Sequence, residues 1–251
     1  MSDSSFRRRR AMSALLAVLF TWSLLASFAL LGPLLGTSQT VFVSFLAVTA
    51  WLLATRSCCG DQRRAQSSPL LLMGLFTGFA SYPAWIVTIG ALGLALGLEP
   101  VGAAAPGSGG LLFWMASVLL APVFEELLYR ERLLTALGRT FGSCLAIPVT
   151  SALFAISHLE PWRVLGTALV GLMLGTAMRA SSSLALCIGL HMGLNLAGLT
   201  CGVPPVRLAL GPSYAAVMGL VGLVAAIVLA RWTRSPSALE AGVDRAGAIA
   251  A

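Results

Sequence analysis

The chain contains two histidines, and each opens or closes a five-residue motif inside an apolar stretch: Phe154-x-x-x-His158 and His191-x-x-x-Asn195. A third polar motif, Glu125-Glu126-x-x-x-Arg130, lies in another apolar stretch upstream. Residues four apart share one helix face, so Phe154 points with His158, His191 points with Asn195, and Glu126 is placed to pair with Arg130, acid before base. Glu125, about 100° round the helix from Glu126, is left to face the site. A glutamate level with a histidine can take a proton from water for attack on a carbonyl. A second histidine beside an asparagine supplies donors to the oxyanion that follows. Glu125, His158 and His191 equally make a zinc set with one position open for water. Both schemes hydrolyse an amide; they differ in whether a metal takes part.

Few other groups compete for these roles. Of nine acids, Asp3, Asp61, Glu99, Glu160, Glu240 and Asp244 fall in loops or tails, and Glu131 sits between two arginines. Tyr129 is expected to anchor at the membrane interface, where tyrosine is enriched, and Phe154 to pack beside the site. Either histidine taken alone would more readily be an interhelical hydrogen-bonding group. The three motifs together favour chemistry, because an acid or base at membrane depth costs about 2.5–3.5 kcal/mol and is retained for function.

The elements that hold these motifs are membrane spans. The sequence is 58% hydrophobic and 10% charged, against about 25% charged in soluble domains. Apolar runs of spanning length fall near 11–32, 40–55, 69–97, 111–130, 143–158, 164–178, 183–200 and 213–230. The expected fold is all-α: a polytopic integral membrane protein of about eight transmembrane helices. The net charge of +7 comes from sixteen arginines without a lysine. Most of these arginines fall on the side of the N-terminus, which predicts cytoplasmic termini at both ends in the cell (inner) membrane. The basic balance anchors spans in the lipid bilayer and does not point to nucleic acid, since little of the chain lies outside the membrane. Arg7 to Arg10 before the first apolar run resemble a signal-peptide start, but continuing spans favour a retained first helix. The five cysteines form no C-x-x-C pair or disulfide framework and are read as packing or incidental residues.

Four regions follow: residues 1–110 with three spans, 111–200 as a core of four spans, 201–234 with the last span, and 235–251 as a disordered tail. The fourth span is expected to run past the membrane over Leu127 to Leu137 and to turn near Phe141. Folding the chain about that turn sets Glu125 level with residue 157, and so near His158. Gly74-x-x-x-Gly78 and Gly171-x-x-x-Gly175 are small-residue motifs that permit close helix packing. Pro83, Pro122 and Pro148 are candidates for kinking their spans.

The ordered set Glu125-Glu126-Leu-Leu-Tyr-Arg130, Phe154-Ala-Ile-Ser-His158 and His191-Met-Gly-Leu-Asn195 resembles the CPBP family, the type II CAAX prenyl endopeptidases and their Abi relatives. The similarity covers about Leu111 to Gly198. It implies an intramembrane endopeptidase in which Glu125 is the general base assisted by His158, His191 and Asn195 stabilise the oxyanion, and Glu126 with Arg130 hold the geometry. Both metal-dependent and metal-free mechanisms are attached to the family. Asn195, a non-acidic fourth group, tilts the expectation towards no cofactor rather than Zn. The implied partner is a membrane-anchored protein or peptide substrate. The Arg-only, Ala/Leu/Gly-rich composition suits a GC-rich bacterial genome, where a processed peptide or a C-terminal sorting segment is a better substrate than a prenylated CAAX chain.

Two rival functions are weighed against this one. A transporter would use Glu125, His158 and His191 as a proton relay, but would be expected to show an internal repeat, and none is detected. A non-enzymatic bacteriocin-immunity-type protein would tolerate loss of a motif residue, and none is lost.

Overall fold

The computed structural model describes residues 37–54, 68–98, 110–158 and 160–202, together with Met12, Leu15, Val18, Leu19, Thr21 and Trp22 of the first apolar run. Beyond those six helical residues the elements are α1 (Thr37–Ala54), α2 (Ser68–Ala95), α3 (Leu111–Phe141), α4 (Ser143–Ile156), α5 (Pro161–Ser181) and α6 (Leu184–Cys201). The described residues form helices joined by short turns, with no strand among them. Four helices among them, α2, α3, α5 and α6, are long and apolar enough to cross a membrane, and α1 and α4 contain shorter apolar stretches. The last span near 213–230, the tail after Ser235, Cys58 and Cys59, and most of the Pro100–Gly110 segment lie outside the described residues.

Helix ends follow the local chemistry. Gly142, at φ 82°, supplies the left-handed residue that stops α3 and starts α4. Pro161 opens α5 at a position where a missing N–H costs nothing. Ser183 caps α6, its side chain accepting from the Leu186 N–H. Gly138, just past the expected extension over Leu127 to Leu137, is inside α3, which runs on to Phe141.

α3 is not uniformly wound. It passes through π turns at Ala116–Leu120 and Leu127–Leu134, on either side of an α segment, Ala121–Glu126, that carries both glutamates. Pro122 gives a reason for the first: it lacks an N–H, and its ring clashes with the carbonyl four residues back in a regular helix. Such π turns concentrate at functional sites. In the second, the Thr135 hydroxyl donates to the Arg130 carbonyl, five residues earlier.

α2 and α6 press backbone to backbone. A Cβ on Gly74 or Gly78 would fall on the carbonyls of Leu186 and Leu190; one on Gly189 or Gly193 would fall on those of Leu71 and Leu75. Gly74-x-x-x-Gly78 therefore meets a reciprocal Gly189-x-x-x-Gly193 that brackets His191, a third small-residue motif beside the two named from the sequence. Close approach of this kind drives helix association in lipid, where hydrophobic burial between helices gives little. Gly171 and Gly175 allow a looser approach of α5 to α4, facing Ser151 and the side chains of Phe154 and Ile147. α1 packs on α3 through Phe45 and Phe124, whose rings lie 4.9 Å apart. Arg132 donates to the Leu52 carbonyl at 2.9 Å near the end of α1, where a cation complements the helix dipole.

Candidate active site

Glu126 is the centre of the buried polar cluster. Its side chain is 0% exposed, and Arg130 Nε lies 3.1 Å from its Oε2. The 2.9 Å contact between Glu126 Oε1 and His191 Nδ1 joins α3 to α6. The other imidazole nitrogen of His191, Nε2, lies 3.5 Å from Glu125 Oε2, and the Glu125 side chain keeps 14% exposure. One imidazole thus spans both glutamates. Two carboxylates share one imidazole and one guanidinium in a buried site, where an unpaired charge is costly.

Arg130 is held on three sides. Besides Glu126, its Nη2 donates to the Gly171 carbonyl at 3.3 Å, and its cation lies 4.7 Å from the Phe154 ring centroid. Its Nη1 is buried without a hydrogen-bond partner among the described residues. Gly171 serves twice: its missing side chain lets α5 approach α4, and its carbonyl receives Arg130.

Phe154 is the aromatic hub. Tyr129, His158 and His191 meet its ring edge-on, at centroid distances of 5.3, 5.3 and 5.7 Å. The pairing of Tyr129 and Arg130 with Phe154 across the turn at Gly142 follows the hairpin register that the sequence implies. Tyr129 departs from expectation. It is not an interfacial anchor but 2% exposed in the core, and its hydroxyl accepts from Trp22 Nε1 at 3.0 Å. Trp22 of the first apolar run therefore reaches the core beside Tyr129.

His158 follows α4 in a turn and is tied locally. Its Nδ1 lies 3.2 Å from the Phe154 carbonyl and 3.0 Å from Ser157 Oγ, which itself donates to the same carbonyl. A carbonyl only accepts, so Nδ1 carries a proton and Nε2 is the ring nitrogen left for another partner. No ion pair or hydrogen bond joins His158 to a glutamate among the described residues; the imidazole on Glu125 is that of His191. Asn195, one turn beyond His191 on α6, donates from Nδ2 to the Ser117 carbonyl at 2.8 Å.

The zinc set is not assembled in this arrangement. Among the described residues, no three His, Cys, Asp or Glu side chains are grouped to hold a metal ion. Cys187, one turn before His191, is buried with its thiol on the Leu174 carbonyl, while Cys144 and Cys201 are exposed and unbridged.

Apolar helices that gather two glutamates, an arginine, two histidines and an asparagine in and beside their packed core define a polytopic integral membrane protein with a buried polar site. Residues 107–197 match the family model described as Type II CAAX prenyl endopeptidase Rce1-like. The match spans all three motifs and bears out the resemblance they carry. No curated protein and no solved structure matches it.

Proposed function

We propose that the protein is an intramembrane endopeptidase that hydrolyses a peptide bond near the end of a membrane-associated or lipid-modified substrate. The observation that carries this reading is the His191 imidazole set between Glu126 and Glu125, within a segment that matches a family of prenyl endopeptidases. In this reading His191 carries a proton on each ring nitrogen and Glu125 is ionised. A substrate carbonyl takes the His191 Nε2–H from Glu125 Oε2, to which it reaches at only 3.5 Å. Glu125 is then free to accept a proton from water, while His158 accepts the second water hydrogen at Nε2. Hydroxide adds to the carbonyl carbon, and the oxyanion is held by His191 and by the remaining N–H of Asn195. On collapse the carbon–nitrogen bond breaks, and the proton held by Glu125 passes to the leaving amine. Glu126 and Arg130 hold His191 in place. The chain is read as eight spans in the cell membrane with both termini cytoplasmic.

The test uses purified protein in lipid vesicles with two fluorogenic probes, a farnesylated C-terminal CAAX peptide and the C-terminal segment of an exported protein. Each is assayed with wild type and Glu125→Ala, with and without a strong chelator. Cleavage lost in Glu125→Ala and unaffected by chelation supports glutamate-activated water; cleavage lost to chelation as well points to zinc. Equal cleavage by both proteins removes Glu125 from the mechanism, and no cleavage of either probe counts against the endopeptidase reading.

A further inference from the structure

The Ser117 carbonyl lies in the first π turn of α3. In an α-helix it would accept from the N–H of Ala121, but that group bonds instead to the Ala116 carbonyl, five residues back. Continued π winding would assign Ser117 to residue 122, which is proline and has no N–H. Both ordinary backbone donors are therefore denied to one carbonyl, and a carbonyl away from water needs a partner. The donor that fills the gap is Asn195 Nδ2 from α6, at 2.8 Å.

We propose that Pro122 is a positioning residue for Asn195: by withholding an N–H from the Ser117 carbonyl, it makes that carbonyl the fixed acceptor that orients the Asn195 amide. Because a carbonyl only accepts, it selects Nδ2 over Oδ1 and removes the two-fold ambiguity of the amide. One N–H is spent on Ser117, and the other has no partner among the described residues. Resting on the endopeptidase reading, that second N–H is the one offered to the oxyanion. α3 then orients both α6 donors by separate means, His191 through the Glu126 carboxylate and Asn195 through a proline-orphaned carbonyl.

Asn195 is the single asparagine of the chain, which gives a direct test. Protein carrying [15N]asparagine and [1-13C]serine is reconstituted in vesicles, and dephasing of the side-chain amide nitrogen by serine carbonyl carbon is measured by solid-state NMR. No substrate enters this measurement, so a failure of the cleavage assay leaves it intact. Wild type is expected to show dephasing from a carbonyl carbon about 4 Å away, the hydrogen bond plus the C=O length. Ser117→Ala keeps the carbonyl but removes its label, and is expected to abolish the dephasing. Pro122→Ala returns an N–H to compete for Ser117 and is expected to reduce it severalfold, with Pro122→Ser as the second variant if the first does not fold. Pro148→Ala in α4 is expected to leave it unchanged. Dephasing absent from wild type, persisting in Ser117→Ala, unchanged in the Pro122 variants, or equally lost in Pro148→Ala overturns the proposal.

Discussion

His191 and Glu126 are 65 residues apart in the chain, and 2.9 Å separate Nδ1 of one from Oε1 of the other in the core between α3 and α6. Glu126 answers to Arg130 on its other oxygen, so the carboxylate ties a cation of its own helix to an imidazole of another. Glu125, the neighbouring acid, is left with the far nitrogen of the same ring and partial exposure. Adjacent glutamates thus have different surroundings, one locked in the packing and one available.

This difference predicts different phenotypes. Glu125→Gln keeps shape and volume but cannot accept a proton, and is expected to slow peptide-bond cleavage by about 10²–10⁴-fold. Its thermal unfolding in detergent should stay close to wild type. Initial rates and unfolding curves on the same preparations check both halves.

Arg130 is predicted to matter for stability. Arg130→Met takes the guanidinium from the buried Glu126 carboxylate, leaving it His191 alone, and is expected to cost about 3–5 kcal/mol, the range for breaking a buried pair from one side. The double variant Glu126→Gln with Arg130→Met removes both charges and is expected to recover a large part of that loss. Denaturant titrations of the three proteins give the comparison, and a double variant no more stable than Arg130→Met alone rules the ion-pair argument out.

The glycines separate into two groups by what a side chain would meet. Gly189→Ala and Gly78→Ala drive a methyl into a facing backbone carbonyl and are expected to push α2 and α6 apart, lowering stability and displacing His191. Gly138→Ala meets nothing within 4 Å inside α3 and is expected to stabilise by about 0.5–1 kcal/mol through helix propensity. Opposite shifts in the unfolding midpoint are the readout.

Tyr129→Phe removes the acceptor of Trp22 Nε1 while keeping the ring on Phe154. Interhelical hydrogen bonds in membranes average about 0.6 kcal/mol, and the loss should be of that size. Trp22→Phe alone is expected to cost more because it also trims packing. Combining the two changes should add little beyond the larger single effect, and strict additivity in the unfolding measurements counts against a direct bond.

Much of the architecture is legible in the sequence because lipid imposes a simple rule: backbone polar groups must be satisfied within a helix, so apolar length marks spans. The stretches near 40–55, 69–97, 143–158, 164–178 and 183–200 all fold as helices close to those bounds. The Glu126–Arg130 pair follows from four-residue spacing alone. Tyr129 was misplaced because its interfacial preference says nothing of a partner more than a hundred residues upstream. Gly189-x-x-x-Gly193 went unread although it has the same signature as Gly74-x-x-x-Gly78.

The sequence by itself determined which residues bear chemistry, since so few polar groups stand in an apolar chain and helical spacing already pairs them. Tertiary structure alone decided which imidazole meets which carboxylate. The sequence set His158 beside Glu125 by depth, but depth along a helix leaves rotation and neighbour choice open. Those were fixed by the α2–α6 glycine interlock, which seats His191, and by the π turns of α3, which re-aim its side chains by breaking the 3.6-residue period that sequence reading assumes.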